Sequence, residues 1–593
     1  MTARKRVELI DPNPRTPLGI DTETTGLQVF DGRAHCIGIS YAGLPEGEPV
    51  SGYLGFAHAV GEPAPAELVD MLAYVLEQQG RPLIIQNAQF DIQSLLTADV
   101  DVRGQEFYDL PTMANLIDEN MPSKGMDAIA KKFAPHVSKL TEDEWLNNQK
   151  KIGWPLVTPE RMYAYATNDA EVSFVSWCEM IEHKEWLALA PDYWGHKQKT
   201  ILTLLEMRRR GVRLNHEAAQ VMADIGNARM AELLEELGYS NLGPKALTEL
   251  LLEKLQLPII KRSAKTGNPS FDKEVMAEYD ELLEKMDSDL GKVILEYRGW
   301  QKAVSAGYQA YLNVVSPDGR VRTEYTTHVT RTGRLSSKEP NLQQVPKESD
   351  REKKPWNWQM KAVFEPTDGF RMWNVDYSQL ELRLMAAFAG VPSLKQVFIE
   401  ERDIFDEMAE ALGYPRQTIK TFVYANSYGA GDKKIARSIG ITLAEAKKLR
   451  SDYLAEYPQL GLFSRKLETM AKRNKKIPMW SGRFRHMPYP SEAYKAMNSF
   501  IQGGGADIVE RAMVRIAEEV CDENCYLLMQ IHDAFVFEIK DGFEEEYLPR
   551  IVDIMCDVDL LIAEQMPSGL GTTIAVDGDE WPVFEWPEER KTI

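Results

Sequence analysis

The sequence predicts an α/β domain over residues 1–190, followed by a larger, mostly α, α+β region over 191–593. Three observations carry this expectation. The first part alternates short apolar runs (IGISYAGL, GYLGFA and PLIIQNAQF) with stretches of helical spacing. Beyond about residue 210, apolar residues recur at helical intervals, as in MADIGNARMAELLEELG and ALTELLLEKLQL. Two strand-like runs far apart in the chain, RMWNVDYSQLELR and LLMQIHDAFVFE, each carry an aspartate, Asp376 and Asp533. A chain of 593 residues is too long for one core, so several domains are expected.

Composition bounds the class. Apolar content of 44% and charged content of 27% are those of a globular protein. No run of eighteen apolar residues occurs, which predicts no transmembrane helix. The opening MTARKRVELIDPNPR has basic residues with no apolar stretch after them, unlike a secretory signal. Five scattered cysteines (Cys36, Cys178, Cys521, Cys525 and Cys556) do not follow zinc spacing, so reduced thiols in the cytoplasm are expected. A net charge of −21 repels nucleic acid at long range, so any phosphate-binding groove must be locally positive. Basic residues gather at Lys261-Arg262 with Lys265, at Arg351 to Lys354, at Lys447 to Arg450 and at Lys472 to Lys476. Each is either a phosphate track or a solvated face.

Taken in order, the N-terminal part holds three acidic runs. In LGIDTETTGL, Asp21 and Glu23 stand two apart and share one side of a strand. In LIIQNAQFD, Asn87 and Asp91 follow an apolar strand, and in YAYATND, Tyr165 and Asp169 are one helical turn apart. Asp-x-Glu alone fits an exposed strand edge better than a metal site. A helix from about Lys197 to Arg210 leads into the second region. There Arg416, Lys420, Tyr424 and Tyr428 recur every fourth residue and share one helical face, two cations followed by two rings. Such a face suits a triphosphate with its base and sugar, or is a cationic stripe beside a half-buried aromatic pair. If the fold brings Asp376 and Asp533 together, they form a cradle for paired Mg²⁺ ions.

The runs around Asp376, Arg416–Gly429 and Gln530–Asp533 resemble motifs A, B and C of the family A DNA polymerases, in that chain order. Those around Asp21, Asp91 and Asp169 resemble the three Exo motifs of DEDD exonucleases, in the variant with tyrosine in the third. TGRLSS with PNLQQVP, and Asn498-x3-Gln502 before GGGADIVERAM, extend the resemblance over essentially the whole chain. It implies an RNase H-like, DEDDy exonuclease domain over 1–190 and a right-hand polymerase domain over 191–593. Within the latter it implies a thumb at about 225–310, a palm at about 311–395 and 505–593, and fingers at about 396–490.

The resemblance also implies roles. Asp376, Asp533 and the Tyr377 carbonyl would hold two Mg²⁺ ions, as would Asp21, Glu23, Asp91 and Asp169, with Mn²⁺ as a substitute. Tyr165 would orient a water. Arg416, Lys420, Tyr424, Tyr428, Glu381 and Gln379 would bind the dNTP, Lys420 as proton donor and Glu381 as the gate against a 2′-hydroxyl. Arg334, Gln343, Asn498, Gln502 and His532 would contact primer–template DNA. Three departures stand out: Ala534 where the family often has Glu, Phe405 where many relatives have His, and Tyr424 where Phe is usual. The tyrosine predicts ready use of dideoxynucleotides. A monomer without membrane attachment is expected, and no residue identifies a helicase, primase or single-strand-binding partner. The lack of a preceding 5′-nuclease segment leads to the expectation of a bacteriophage replicative type. The alternatives are a repair or gap-filling polymerase, an exonuclease whose polymerase half only binds DNA, a non-enzymatic DNA-binding factor, and a single-subunit RNA polymerase disfavoured by Glu381.

Overall fold

The computed structural model describes residues 16–44, 49–77, 80–137, 153–191, 193–346, 354–427, 429–559 and 569–585. They fall into two compact units. The first comprises Met1–Arg210, Tyr325–Ser336 and Trp373–Asp579; the second comprises Gly211–Glu324, Ser337–Met372 and Glu580–Ile593.

The N-terminal part of the first unit is built on a five-stranded sheet. Its strands are β1 (Leu18–Thr24), β2 (Cys36–Gly43), β3 (Val50–Gly55), β4 (Leu83–Ile85) and β5 (Phe107–Asp109), in the order β3-β2-β1-β4-β5. β1 pairs antiparallel with β2 and parallel with β4. All eight residues of β2 and all three of β4 are buried, as strands covered on both faces must be. The covering helices include α1 (Ala88–Leu96), α2 (Leu110–Ile117) and α3 (Pro159–Ile181). One position sets how closely α3 lies on β1. A Cβ at Gly19 would stand 2.9 Å from the Ala170 carbonyl and 3.0 Å from the Phe174 Cβ. Glycine therefore admits the helix carrying Asp169 against the strand carrying Asp21. The next helix, α4 (Tyr193–Arg210), begins four residues before its expected start and contributes Ile201 and Leu205 to this core.

The C-terminal part of the first unit centres on a four-stranded sheet. β6 (Phe370–Ser378), β7 (Cys525–Ile531), β8 (Ala534–Lys540) and β9 (Ala575–Glu580) lie in the order β7-β8-β6-β9. Packed with it are α5 (Leu380–Ala389), α6 (Ile404–Leu412), α7 (Arg416–Ser427) and α8 (Ala496–Glu519). Val375, Leu384, Phe422, Met513, Phe535 and Phe537 belong to one large core.

The second unit has its own core of Leu233, Leu251, Tyr279 and Ile294. The patterned run near residue 230 forms the helix His216–Leu237, capped by the Asn215 side chain and ended by left-handed Gly238. A small antiparallel sheet places Val212–Leu214 between Phe364–Glu365 and Arg320–Val321.

Candidate active sites

The first site is assembled from β1, α1 and α3. Glu23, Asp91 and Asp169 are 6%, 3% and 5% exposed. Thr22, between Asp21 and Glu23, donates both its hydroxyl (2.6 Å) and its amide (3.2 Å) to the Asp91 carboxylate. Tyr165 hydrogen-bonds Asp169 from one turn away on α3, as the four-residue spacing predicted. Burial, then the charges of Asp169, Glu23 and Asp21, push the Tyr165 phenol well up. Trp154 stacks on the other side of that tyrosine at 5.7 Å and 28°. Burial also pushes the Asp91 carboxyl up, with the Asp109 charge adding to it against the Thr22 hydrogen bonds. The structure thus brings together all five sequence-predicted residues. Their all-oxygen, acid-rich chemistry is that of hard divalent cations. Among the described residues, no three His, Cys, Asp or Glu side chains already stand as a closed ligand set.

The second site lies where β6 meets the β7–β8 hairpin. Ile531 pairs with Ala534, so His532 and Asp533 form a two-residue turn, with His532 at φ 59°. The Tyr377 amide donates to the Asp533 carbonyl at 3.2 Å. Two runs more than a hundred residues apart therefore meet at the residue after Asp376. Along β6, Val375 and Tyr377 are buried while Asp376 is half-exposed, which puts its carboxylate on the open face. Ala534 heads β8 at 6% exposure, a position with room in the strand for an apolar side chain.

Around this pair stand the other predicted residues. Gln379, left-handed at φ 56°, caps α5, whose first turn carries Glu381. Arg334 pairs with Glu381 at 2.5 Å and lies 3.6 Å from Asp533. Burial and the Arg334 charge lower the His532 pKa, with Asp533 opposing. Burial and the Glu381 charge raise that of Tyr424. Three of the four residues predicted to share a face of α7 stand together. Arg416 and Lys420 lie 5.7 and 5.8 Å from the Phe405 ring, and the Tyr424 ring lies 5.7 Å from it. Phe405 is 2% exposed, so this departure from the family's histidine is the apolar seat of the face. Arg416 pairs with Asp403 at 2.5 Å and Asp406 at 3.1 Å. Tyr428 lies outside the described residues. Asn498 and Gln502 sit one turn apart on α8, both half-exposed, and Gln343 belongs to the second unit, 8% exposed.

Single lysines of several basic runs pair with acids: Lys261 with Asp272, Lys448 with Asp452, Lys472 with Glu468 and Lys476 with Glu185, each at 2.6 Å. Arg351 to Lys353 lie outside the described residues. Some supporting residues carried no motif. Arg450 braces the end of α7 through Asn426, the Ala430 carbonyl and Asp432. Buried Arg483 holds Asp507 and the Thr332 carbonyl.

The DNA polymerase family A profile matches residues 212–574, and a 3′-5′ exonuclease family profile matches residues 8–177. The chain belongs to DNA polymerase family A. It is 28% identical to DNA polymerase I of Pseudomonas aeruginosa, over 91% of this chain and 61% of that one. Against DNA polymerase I of Rhizobium leguminosarum the identity is 27%, over 95% and 59%. The chain thus spans about three fifths of the length of these relatives. In structure it is similar to the POL domain of Pol1 from M. smegmatis, solved with DNA primer-template and dNTP. The TM-score is 0.77 at 20% identity, covering 98% of this chain and 97% of that one, which shows a shared fold. These relatives are bacterial and give no support to the bacteriophage type expected from the sequence. Among the described residues, no helix is long and apolar enough to cross a membrane.

Proposed function

We propose that this protein extends a DNA primer on a template from dNTPs and trims 3′ ends in the 3′→5′ direction, proofreading its own synthesis during replication. The observation that carries the first half is the Tyr377–Asp533 hydrogen bond, which sets the two aspartate runs side by side. The buried acids with Tyr165 carry the second. Mg²⁺, or Mn²⁺ in its place, would be held by Asp376, Asp533 and the Tyr377 carbonyl, and by Asp21, Glu23, Asp91 and Asp169. When bound, such ions supply charge neutralisation and Lewis acidity at phosphorus.

The chain's own residues do the rest. Arg416 and Lys420 meet the triphosphate, and Lys420 gives a proton to the departing pyrophosphate. Glu381 closes the space a 2′-hydroxyl would need, Gln379 and Tyr424 line the nucleotide's sugar side, and Tyr428 stacks at the template side. Arg334, Gln343, Asn498, Gln502 and His532 contact primer–template DNA, mostly through acceptors that carry no sequence information. Tyr165 orients the attacking water of the trimming reaction. The described cysteines are free, which suits a reducing, cytoplasmic setting, and the chain acts as a monomer. In this reading the trimming domain is 1–190 and the synthetic domain 191–593, with thumb, palm and fingers as the resemblance divides them.

One assay tests both halves: matched and mismatched primer–templates incubated with Mg²⁺, with and without dNTPs. Extension of the matched primer and trimming of both without dNTPs are expected. A primer that never lengthens ends the synthetic reading, and an untouched 3′ end ends the other.

A further inference from the structure

One stretch of chain, residues 325–334, is buried at its start and runs from neighbours of Asp91 to Asp533 itself. We propose that it is a positioning strap shared by the two sites, so that its hydrogen bonds to the N-terminal part help align Asp533, and its bonds to the β7–β8 hairpin help align Asp91. This rests on the reading that both sites are active.

At its start the Tyr325 carbonyl accepts from Gln89 Nε2 at 2.8 Å, two residues before Asp91 on α1. The phenol of the same tyrosine accepts the Gln530 amide and donates to the Gln530 carbonyl, both at 2.9 Å, three residues before Asp533. Two residues on, the Thr327 hydroxyl lies 2.6 Å from that of Thr112. The Thr112 hydroxyl has one proton and gives it to Asp109 at 2.5 Å, so Thr327 is the donor to Thr112. The other oxygen of Asp109 accepts the Ala88 amide at the head of α1, 3.0 Å away. Further along, the Thr332 carbonyl accepts from Arg483 at 2.7 Å. A Cβ at Gly333, φ +88°, would stand 2.7 Å from that guanidinium. The strap ends at Arg334, against Glu381 and Asp533. Tyr325, Thr326 and Thr327 are 1%, 4% and 4% exposed. Water cannot replace a bond lost there, so a displacement at one end is not absorbed locally.

Thr112→Val tests it, because Thr112 belongs to neither proposed catalytic set. Single-nucleotide addition is measured on a matched primer with a phosphorothioate 3′ linkage, which suppresses trimming. The expected result is a kcat lower by roughly fivefold, the scale of one buried hydrogen bond, with KM for dNTP unchanged and recovery in Thr112→Ser. Reciprocally, Thr327→Val lowers trimming of a single-stranded oligonucleotide. Wild-type extension in a folded Thr112→Val overturns the strap while leaving both activities standing. A second readout is independent of activity: amide hydrogen exchange across residues 530–534 must speed up in Thr112→Val and in Gln89→Leu. Unchanged exchange there overturns the proposal even if the wild-type protein neither extends nor trims.

Discussion

The two acidic clusters of one chain manage negative charge in opposite ways. Around Asp91 the carboxylate is buried, and its side-chain restraint comes from neutral donors, the Thr22 hydroxyl and amide. Around Asp533 the acids are more open, and a guanidinium, Arg334, stands among them. Neutral donors hold a buried carboxylate in place without repaying its lost hydration, so its pKa climbs. An arginine repays part of it through charge. The first cluster is therefore the one more dependent on an added cation, and the second is partly balanced before anything binds.

The largest expected effect separates the clusters outright. Asp533→Asn lowers primer extension by about a thousandfold, equivalent to about 4 kcal/mol in the barrier, and leaves single-strand trimming intact. Asp91→Asn does the reverse. Steady-state rates on the two substrates check both, and a variant that loses both activities while folded breaks the division.

Next in size is the response to metal. Mn²⁺ raises the thermal midpoint of the wild-type protein by binding the folded state, and Asp21→Ala removes more of that rise than Asp376→Ala does. An equal share would mean that Arg334 does not relieve its neighbours. A smaller effect concerns the open site alone. Tyr424→Phe raises discrimination against dideoxynucleotides by roughly tenfold, since the phenol beside Glu381 can stand in for a missing 3′-hydroxyl. Competition between ddNTP and dNTP reads it directly.

The smallest is a pH effect at His486, which lies between Glu119 and Glu185 in the same unit. Burial disfavours its charge, but the hydrogen bonds and charges of the two glutamates outweigh burial and raise its pKa. A pKa raised on folding adds stability that is complete below the unfolded value of about 6.5 and fades as pH rises through the higher folded one. Melting curves across pH 6 to 9 should show that decline, and His486→Gln should flatten it.

The sequence reveals these sites unevenly. Asp21 with Glu23, Tyr165 with Asp169, and the face of Arg416, Lys420 and Tyr424 are local spacings, which strand and helix periods turn directly into geometry. The meeting of β6 with the β7–β8 turn has no local signature; only chain order resembling a known family pointed to it. Gly19 looks like any strand glycine until α3 is laid across it. Charge was the least readable. Lys448 and Asp452 are paired at a visible four-residue spacing, whereas Lys476 finds Glu185 across nearly three hundred residues. Phe405 gives no local sign in the sequence that Arg416 and Lys420 of α7 rest on its ring.

The grip of Asp403 and Asp406 on Arg416 has a further consequence. On the proposed reading, an incoming polyphosphate competes with these two carboxylates for the same guanidinium, a contest that favours the ligand of higher charge.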